Sequence, residues 1–208
     1  MEKQFDIKEW IAELEEKHKE HPEDPHVLYN LGNALLGKRD FDEAKKCFLS
    51  AVRIDPELAE GYVQLGGIAM NQGDLDTCLS YNQTASKIRP RFAVPHANIG
   101  FVHLQRHDYD KAGPALRKAL SLDPRFIQAH SCLGDTYFAQ NDLVEAEKEY
   151  RKAIELEPHF GPAYNGLGLI ALEKKDVGEA RKWFNEAEKT GFTVHEQVKA
   201  ELKALETA

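Results

Sequence analysis

The chain has 208 residues, 42% hydrophobic and 30% charged, a balance that excludes a disordered segment and suffices for a sizeable core. Its 27 Lys and Arg against 35 Asp and Glu leave a net −8 at pH 7, which argues against nucleic acid or an anionic membrane surface as the partner. Three cysteines, Cys47, Cys78 and Cys132, lie far apart without CxxC or Cys/His metal spacing, so a reducing, cytoplasmic compartment is expected.

The N-terminal Met1–Asp6 is too acidic and polar for a signal peptide. The longest apolar run, Leu167–Leu172, is too short to span a bilayer, so no membrane insertion is expected. Charge is uneven: residues 1–24 hold nine acids and four bases, while residues 86–125 hold eight bases and three acids. Cations near helix C-termini account for the basic stretch; a surface that steers an acidic partner is the alternative.

Residues 6–20 read as a first helix. Asp6 caps it, Glu9 answers the cap, Phe5 staples onto Trp10, and Ile7, Trp10, Ile11 and Leu14 form its apolar stripe. His21-Pro22-Glu23-Asp24-Pro25 ends it.

A period of 34 residues then governs the chain. Gly32 recurs as Gly66, Gly100, Gly134 and Gly168. A small residue recurs as Ala44, Cys78, Ala112, Ala146 and Ala180, and a turn Asp as Asp40, Asp74, Asp108, Asp142 and Asp176. Pro56, Pro90, Pro124 and Pro158 close the first four units. Each unit predicts two amphipathic helices around a turn, with the Asp oxygen meeting orphan amides of the second helix. The recurring Gly costs about 1 kcal/mol of helix propensity, so it needs a packing reason. Close approach of the second helix, with Ala44 and its equivalents facing the Gly, is the expectation.

Leu28, Leu31, Gly32, Leu35, Ala44, Phe48, Ala51 and Pro56 of the first unit, and His130, Leu133, Gly134, Tyr137, Ala146, Tyr150, Ala153 and Pro158 of the fourth, carry a pattern that resembles the tetratricopeptide repeat. The resemblance implies an all-α fold, an α-solenoid of helix-turn-helix repeats in a right-handed superhelical arc. Residues 1–24 would be an N-terminal cap. Units would span 25–58, 59–92, 93–126, 127–160 and 161–192, and 193–208 would be a C-terminal cap. Departures are Asn82 in the second-helix aromatic position, Phe192 for the last Pro, and Gly113-Pro114, which predicts a kink or irregular start. Thr193 to Glu196 reads as a capping box, followed by a stripe of Val194, Val198, Leu202 and Leu205. Trp183 is expected to pack under the terminal helix.

No P-loop, dinucleotide, zinc-protease or nucleophile-elbow motif is present, so no enzyme and no cofactor are expected. His103 and His107 lie four apart, with His96 and His130 nearby in phase, but no acidic or Cys co-ligands complete a metal set. A metal or cysteine enzyme built on His96, His103 and Cys132 is the weakest reading. Cys78 reads as a buried filler.

The resemblance implies that first helices line a concave face. There Tyr29, Asn30, Asn33, Val63, Gln64, Met70, Ala97, Asn98, Phe101, Leu104, Ser131, Asp135, Phe138 and Asn165 are the candidate peptide-binding residues. Asn30, Gln64 and Asn98 form an amide ladder, similar to that of the protein O-linked N-acetylglucosamine transferase repeats, which Cys132 and Gly166 interrupt. The carboxylate clamp of co-chaperone repeats would fall on Tyr29, Asn33, Gln64, Val94 and Asn98, of which only Asn33 agrees. The expected function is a non-enzymatic scaffold for an extended or helical peptide, with assembly-chaperone duty as the alternative.

Overall fold

The computed structural model describes residues 6–206, and all regular structure among them is helical. The helices are α1 (Ile7–Glu20), α2 (Pro25–Gly37), α3 (Phe41–Ile54), α4 (Ala59–Asn71), α5 (Leu75–Ile88), α6 (Ala93–Gln105), α7 (Tyr109–Leu122), α8 (Ile127–Ala139), α9 (Leu143–Leu156), α10 (Gly161–Glu173), α11 (Val177–Lys189) and α12 (Glu196–Glu206). Two compact units divide the chain, the first ending at Asn98 and the second beginning at Ile99, inside α6. None of the described helices is long and apolar enough to cross a membrane.

Asp6 caps α1 by accepting from the Lys8 amide at 2.8 Å. The expected staple from Phe5 lies outside the described residues. Ile11 and Leu14 are buried with Leu31 and Leu35 of α2, and Ile7 and Trp10 pack against that cluster.

Each turn between paired helices is a Schellman motif. After α2, the Asp40 amide donates to Leu35 O and the Arg39 amide to Leu36 O. The same two bonds recur at Asp74 and Gly73, Asp108 and His107, Asp142 and Asn141, and Asp176 and Lys175. The left-handed position falls on Arg39, Gly73, His107, Asn141 and Lys175, and only one of these is Gly. The turn Asp therefore closes one helix with its amide and opens the next with its carboxylate. Asp40, Asp74, Asp142 and Asp176 accept from the amide three residues on.

Asp108 is the exception. Its carboxylate makes no cap bond to α7 and instead meets Lys111 Nζ at 2.7 Å, with His103 Nδ1 3.5 Å away. The kink or irregular start expected from Gly113-Pro114 does not divide the element: α7 runs from Tyr109 to Leu122 as one helix with Pro114 inside it.

Second helices end because a proline comes next. Asp55, Asp123 and Glu157 are extended, as a residue before Pro must be. The fifth pair has no closing Pro. There Gly191 takes a positive φ of 86°, and the Phe192 amide returns to Ala187 O.

The recurring glycines face large residues rather than small ones, which corrects the expectation. A Cβ on Gly32 would stand 2.6 Å from Phe48 Cε1, and one on Gly134 would stand 2.6 Å from Tyr150 Cε1. Gly66 meets Asn82, Gly100 meets Leu116 at 2.5 Å, and Gly168 meets Phe184. The small residue lies one turn earlier on the second helix, fully buried at Ala44, Cys78, Ala112, Ala146 and Ala180.

One further expectation changes. The capping box does not form: α12 starts at Glu196, and the His195 ring accepts from the Gln197 amide at 3.2 Å. Val194 is fully buried ahead of the helix, and Val198, Leu202 and Leu205 pack onto the α10–α11 cluster. Trp183 packs on the α10–α11 cluster that α12 also covers and on the cluster before it: its ring meets Tyr164 of α10 at 6.1 Å, and the Arg151 guanidinium of α9 lies 5.5 Å over it.

Gly32→Ala is expected to lower unfolding free energy by about 1–3 kcal/mol, since Phe48 must move from a packed slot. Lys175→Gly is expected to raise it by up to about 1 kcal/mol by relieving the left-handed backbone. Urea denaturation of the two variants reads both signs.

Candidate functional site

In the first unit, Asn30 is exposed, while Asn33, Val63, Gln64, Met70 and Asn98 are half-buried. Gln64 Nε2 donates to Asn33 Oδ1 at 3.0 Å, joining α2 to α4. Asn98 Nδ2 donates to Asn82 Oδ1 at 2.9 Å, joining α6 to α5. Asn82 is fully buried and spends its own amide on Cys78 O at 2.9 Å. Two of the three ladder amides, Gln64 and Asn98, are thus held in fixed orientations. Tyr29 serves packing, its ring 5.8 Å from that of Phe48, and Ala97 is buried.

In the second unit, Phe101, Leu104, Phe138 and Asn165 are half-buried and Ser131 is buried. Asp135 keeps solvent access, and its Oδ1 accepts from the Tyr150 hydroxyl at 2.7 Å. Enough protein flanks the carboxyl that desolvation raises its pKa, against the lowering pull of the Tyr150 hydroxyl. Burial also pushes Cys132 up to about 12 and Cys47 up to about 11, so neither is a thiolate nucleophile at neutral pH.

The histidines find separate uses. His107 sits in the turn with Nδ1 2.9 Å from the Tyr109 hydroxyl, and His103 faces Asp108. No group of three or more His, Cys, Asp or Glu suited to a metal occurs among the described residues. His96 Nε2 donates to Pro90 O at 3.1 Å, and the Tyr164 hydroxyl donates to Pro158 O at 3.1 Å. His130 occupies the same repeat position but has two acceptors, Pro124 O at 3.0 Å from Nε2 and Glu149 Oε2 at 2.6 Å from Nδ1. Only the doubly protonated ring satisfies both.

Sequence reasoning missed the Asn82–Asn98, Tyr150–Asp135 and His130–Glu149 pairs. The signal available was a break in phase. Asn82 and Tyr150 are the members of the series Phe48, Asn82, Leu116, Tyr150 and Phe184 that carry a polar group.

The helix pairs and the 34-residue recurrence agree with matches to tetratricopeptide-repeat family models over residues 25–58, 103–152 and 133–191. The chain belongs to the tetratricopeptide-repeat family. Proteins of this family bind protein or peptide partners and are generally interaction modules rather than enzymes. Among solved structures, MamA is 25% identical, with a TM-score of 0.65 over 82% of this chain and 97% of its own. The Cut9–Hcn1 hetero-tetramer of the APC/C is 18% identical, with a TM-score of 0.83 over 96% of this chain and 40% of its own. YrrB, described as a tetratricopeptide-repeat protein with an unusual peptide-binding site, is 18% identical, with a TM-score of 0.66 over 85% of this chain and 91% of its own. At such identity the last two likenesses speak for the fold alone. No curated protein matches the sequence.

The His130 contacts carry a pH dependence. Desolvation lowers its pKa, but the bonds to Glu149 and Pro124 and the Glu149 charge outweigh this, so the folded value lies above 6.5. A raised folded pKa stabilises the fold fully below the unfolded value and progressively less as pH climbs through the folded one. The denaturation midpoint is therefore expected to fall as pH rises past 6.5. His130→Tyr, which copies Tyr164, should flatten that slope.

Proposed function

We propose that this protein is a non-enzymatic interaction module whose two units each take a peptide segment along the accessible face of their first helices. The observation that carries this reading is the pair of anchored amides in the first unit. Gln64 is tied to Asn33 and Asn98 to Asn82, and the half-buried Val63 and Met70 accompany them. Amides held in this way give hydrogen bonds to a backbone without first losing side-chain freedom. The apolar neighbours supply anchors, a combination typical of peptide recognition. In the second unit Phe101, Leu104 and Phe138 supply apolar surface, with Asn165 and Asp135 as polar groups. The peptide-binding site ascribed to YrrB adds support at the level of fold.

In this reading the chain holds five 34-residue units from 25 to 192. Residues 1–24 and 193–208 act as caps, covering apolar faces that end repeats would otherwise expose. No disulfide joins Cys47, Cys78 and Cys132, in keeping with a reducing, cytoplasmic setting. The net −8 disfavours nucleic acid.

Selection of displayed peptides on the full chain tests the face. Asn98→Ala is expected to weaken first-unit binders about tenfold, the worth of one hydrogen bond, and Phe101→Glu to abolish second-unit binders. Binders indifferent to both changes would remove the proposal. Deleting residues 1–24 should lower first-unit stability with Ile11 and Leu14 gone from the core; a stable fold that lost only its partner would make that segment a binding arm instead.

A further inference from the structure

One second-helix side chain of the second unit reaches through the packing layer to the accessible face. Tyr150 of α9 is 1% exposed. Its ring lies against Gly134 of α8 and Gly166 of α10, and a Cβ on either glycine would collide with it. The two missing side chains make a slot, and the hydroxyl at its far end donates to Asp135 Oδ1 at 2.7 Å. The equivalent positions Phe48, Leu116 and Phe184 have no hydroxyl, and the positions in phase with Asp135 are Asn33, Gly67, Phe101 and Leu169. A buried phenol and an accessible carboxylate thus coincide in one repeat, and each is anomalous in its own series.

The carboxylate has a chemical consequence. Tyr150 is its hydrogen-bond partner among the described residues, and no basic side chain is paired with it. Asp135 is the single charge among the candidate face residues Phe101, Leu104, Ser131, Asp135, Phe138 and Asn165. Flanking protein raises the energy of its negative charge, and an arriving cation repays that cost. Phe138 lies three residues on along the same helix, so it neighbours Asp135 on one face.

Resting on the peptide-binding reading, we propose that Asp135, held by the Tyr150 hydroxyl, makes the second unit selective for a Lys or Arg side chain of the bound peptide. The cationic head meets the Asp135 carboxylate, and the aliphatic stem lies along Phe138, as long basic side chains bury their stems while keeping the charge on a polar group.

The test uses the full chain and a randomised linear peptide library, with selected sequences resynthesised carrying Lys, norleucine or Glu at the enriched basic position. Wild type is expected to prefer Lys over norleucine on the order of five- to tenfold, the scale of one well-placed ion pair, and to reject Glu. Asp135→Asn preserves size and the bond from Tyr150, and it should bring the Lys:norleucine ratio to about one while norleucine peptides still bind. Tyr150→Phe copies the packing of Phe48 and Phe184, so the chain should fold, and the ratio should fall part-way. A purely structural Asp135–Tyr150 bond would change stability and leave the ratio alone, which overturns the proposal while the face itself stands. Peptides that bind wild type but ignore both Asp135→Asn and Phe101→Glu would overturn the peptide-binding reading of this unit as well.

Discussion

The contact on which this structure depends is a second-helix side chain seated against a first-helix glycine. Backbone hydrogen bonds and alternating polarity are enough to form the helices. They do not say how closely two helices approach. Phe48 on Gly32, Leu116 on Gly100, Tyr150 on Gly134 and Phe184 on Gly168 set that distance in four pairs, because no Cβ stands in the way. The small residue one turn earlier, Ala44 or its equivalents, is fully buried in the same interface. Each glycine forfeits about 1 kcal/mol of helix propensity. Burying a large side chain recovers about 1.5–3 kcal/mol, so the arrangement is favourable in every pair where that residue is apolar.

In the second pair the seated residue is polar. Asn82 fills the slot with an amide, which cannot stay unbonded inside a helix pair. It donates to Cys78 O and accepts from Asn98. Tyr150 fills its slot with an apolar ring and carries a hydroxyl through to Asp135. In both cases a core position dictates how a face residue is held. A change in the second helix therefore alters the orientation of a side chain on the first.

The turns are the most legible part of the fold. An Asp every 34 residues, placed between two apolar stripes, has one obvious use, and Asp40, Asp74, Asp142 and Asp176 make it. Asp108 departs because Lys111 lies three residues on and offers a stronger charged partner, a competition that spacing alone leaves open. The box at Thr193 does not form: Val194 is drawn fully into the core ahead of the helix, α12 begins at Glu196, and His195 accepts from the Gln197 amide instead. Trp183 meets Tyr164 of its own pair and Arg151 of α9, and it shares the α10–α11 cluster with the side chains of α12.

Sequence by itself determined the helix pairs, their turns, the repeat length and the family. All of these rest on interactions within a few residues, or on a pattern copied so often that it is visible without coordinates. Tertiary structure alone decided which large residue meets each glycine, which amides are tied down, and that Asp135 is held from behind by Tyr150. Those partners are 15 to 31 residues apart, on different helices. Their meeting depends on helix spacing of a few ångströms, which side-chain volume sets and periodicity does not record.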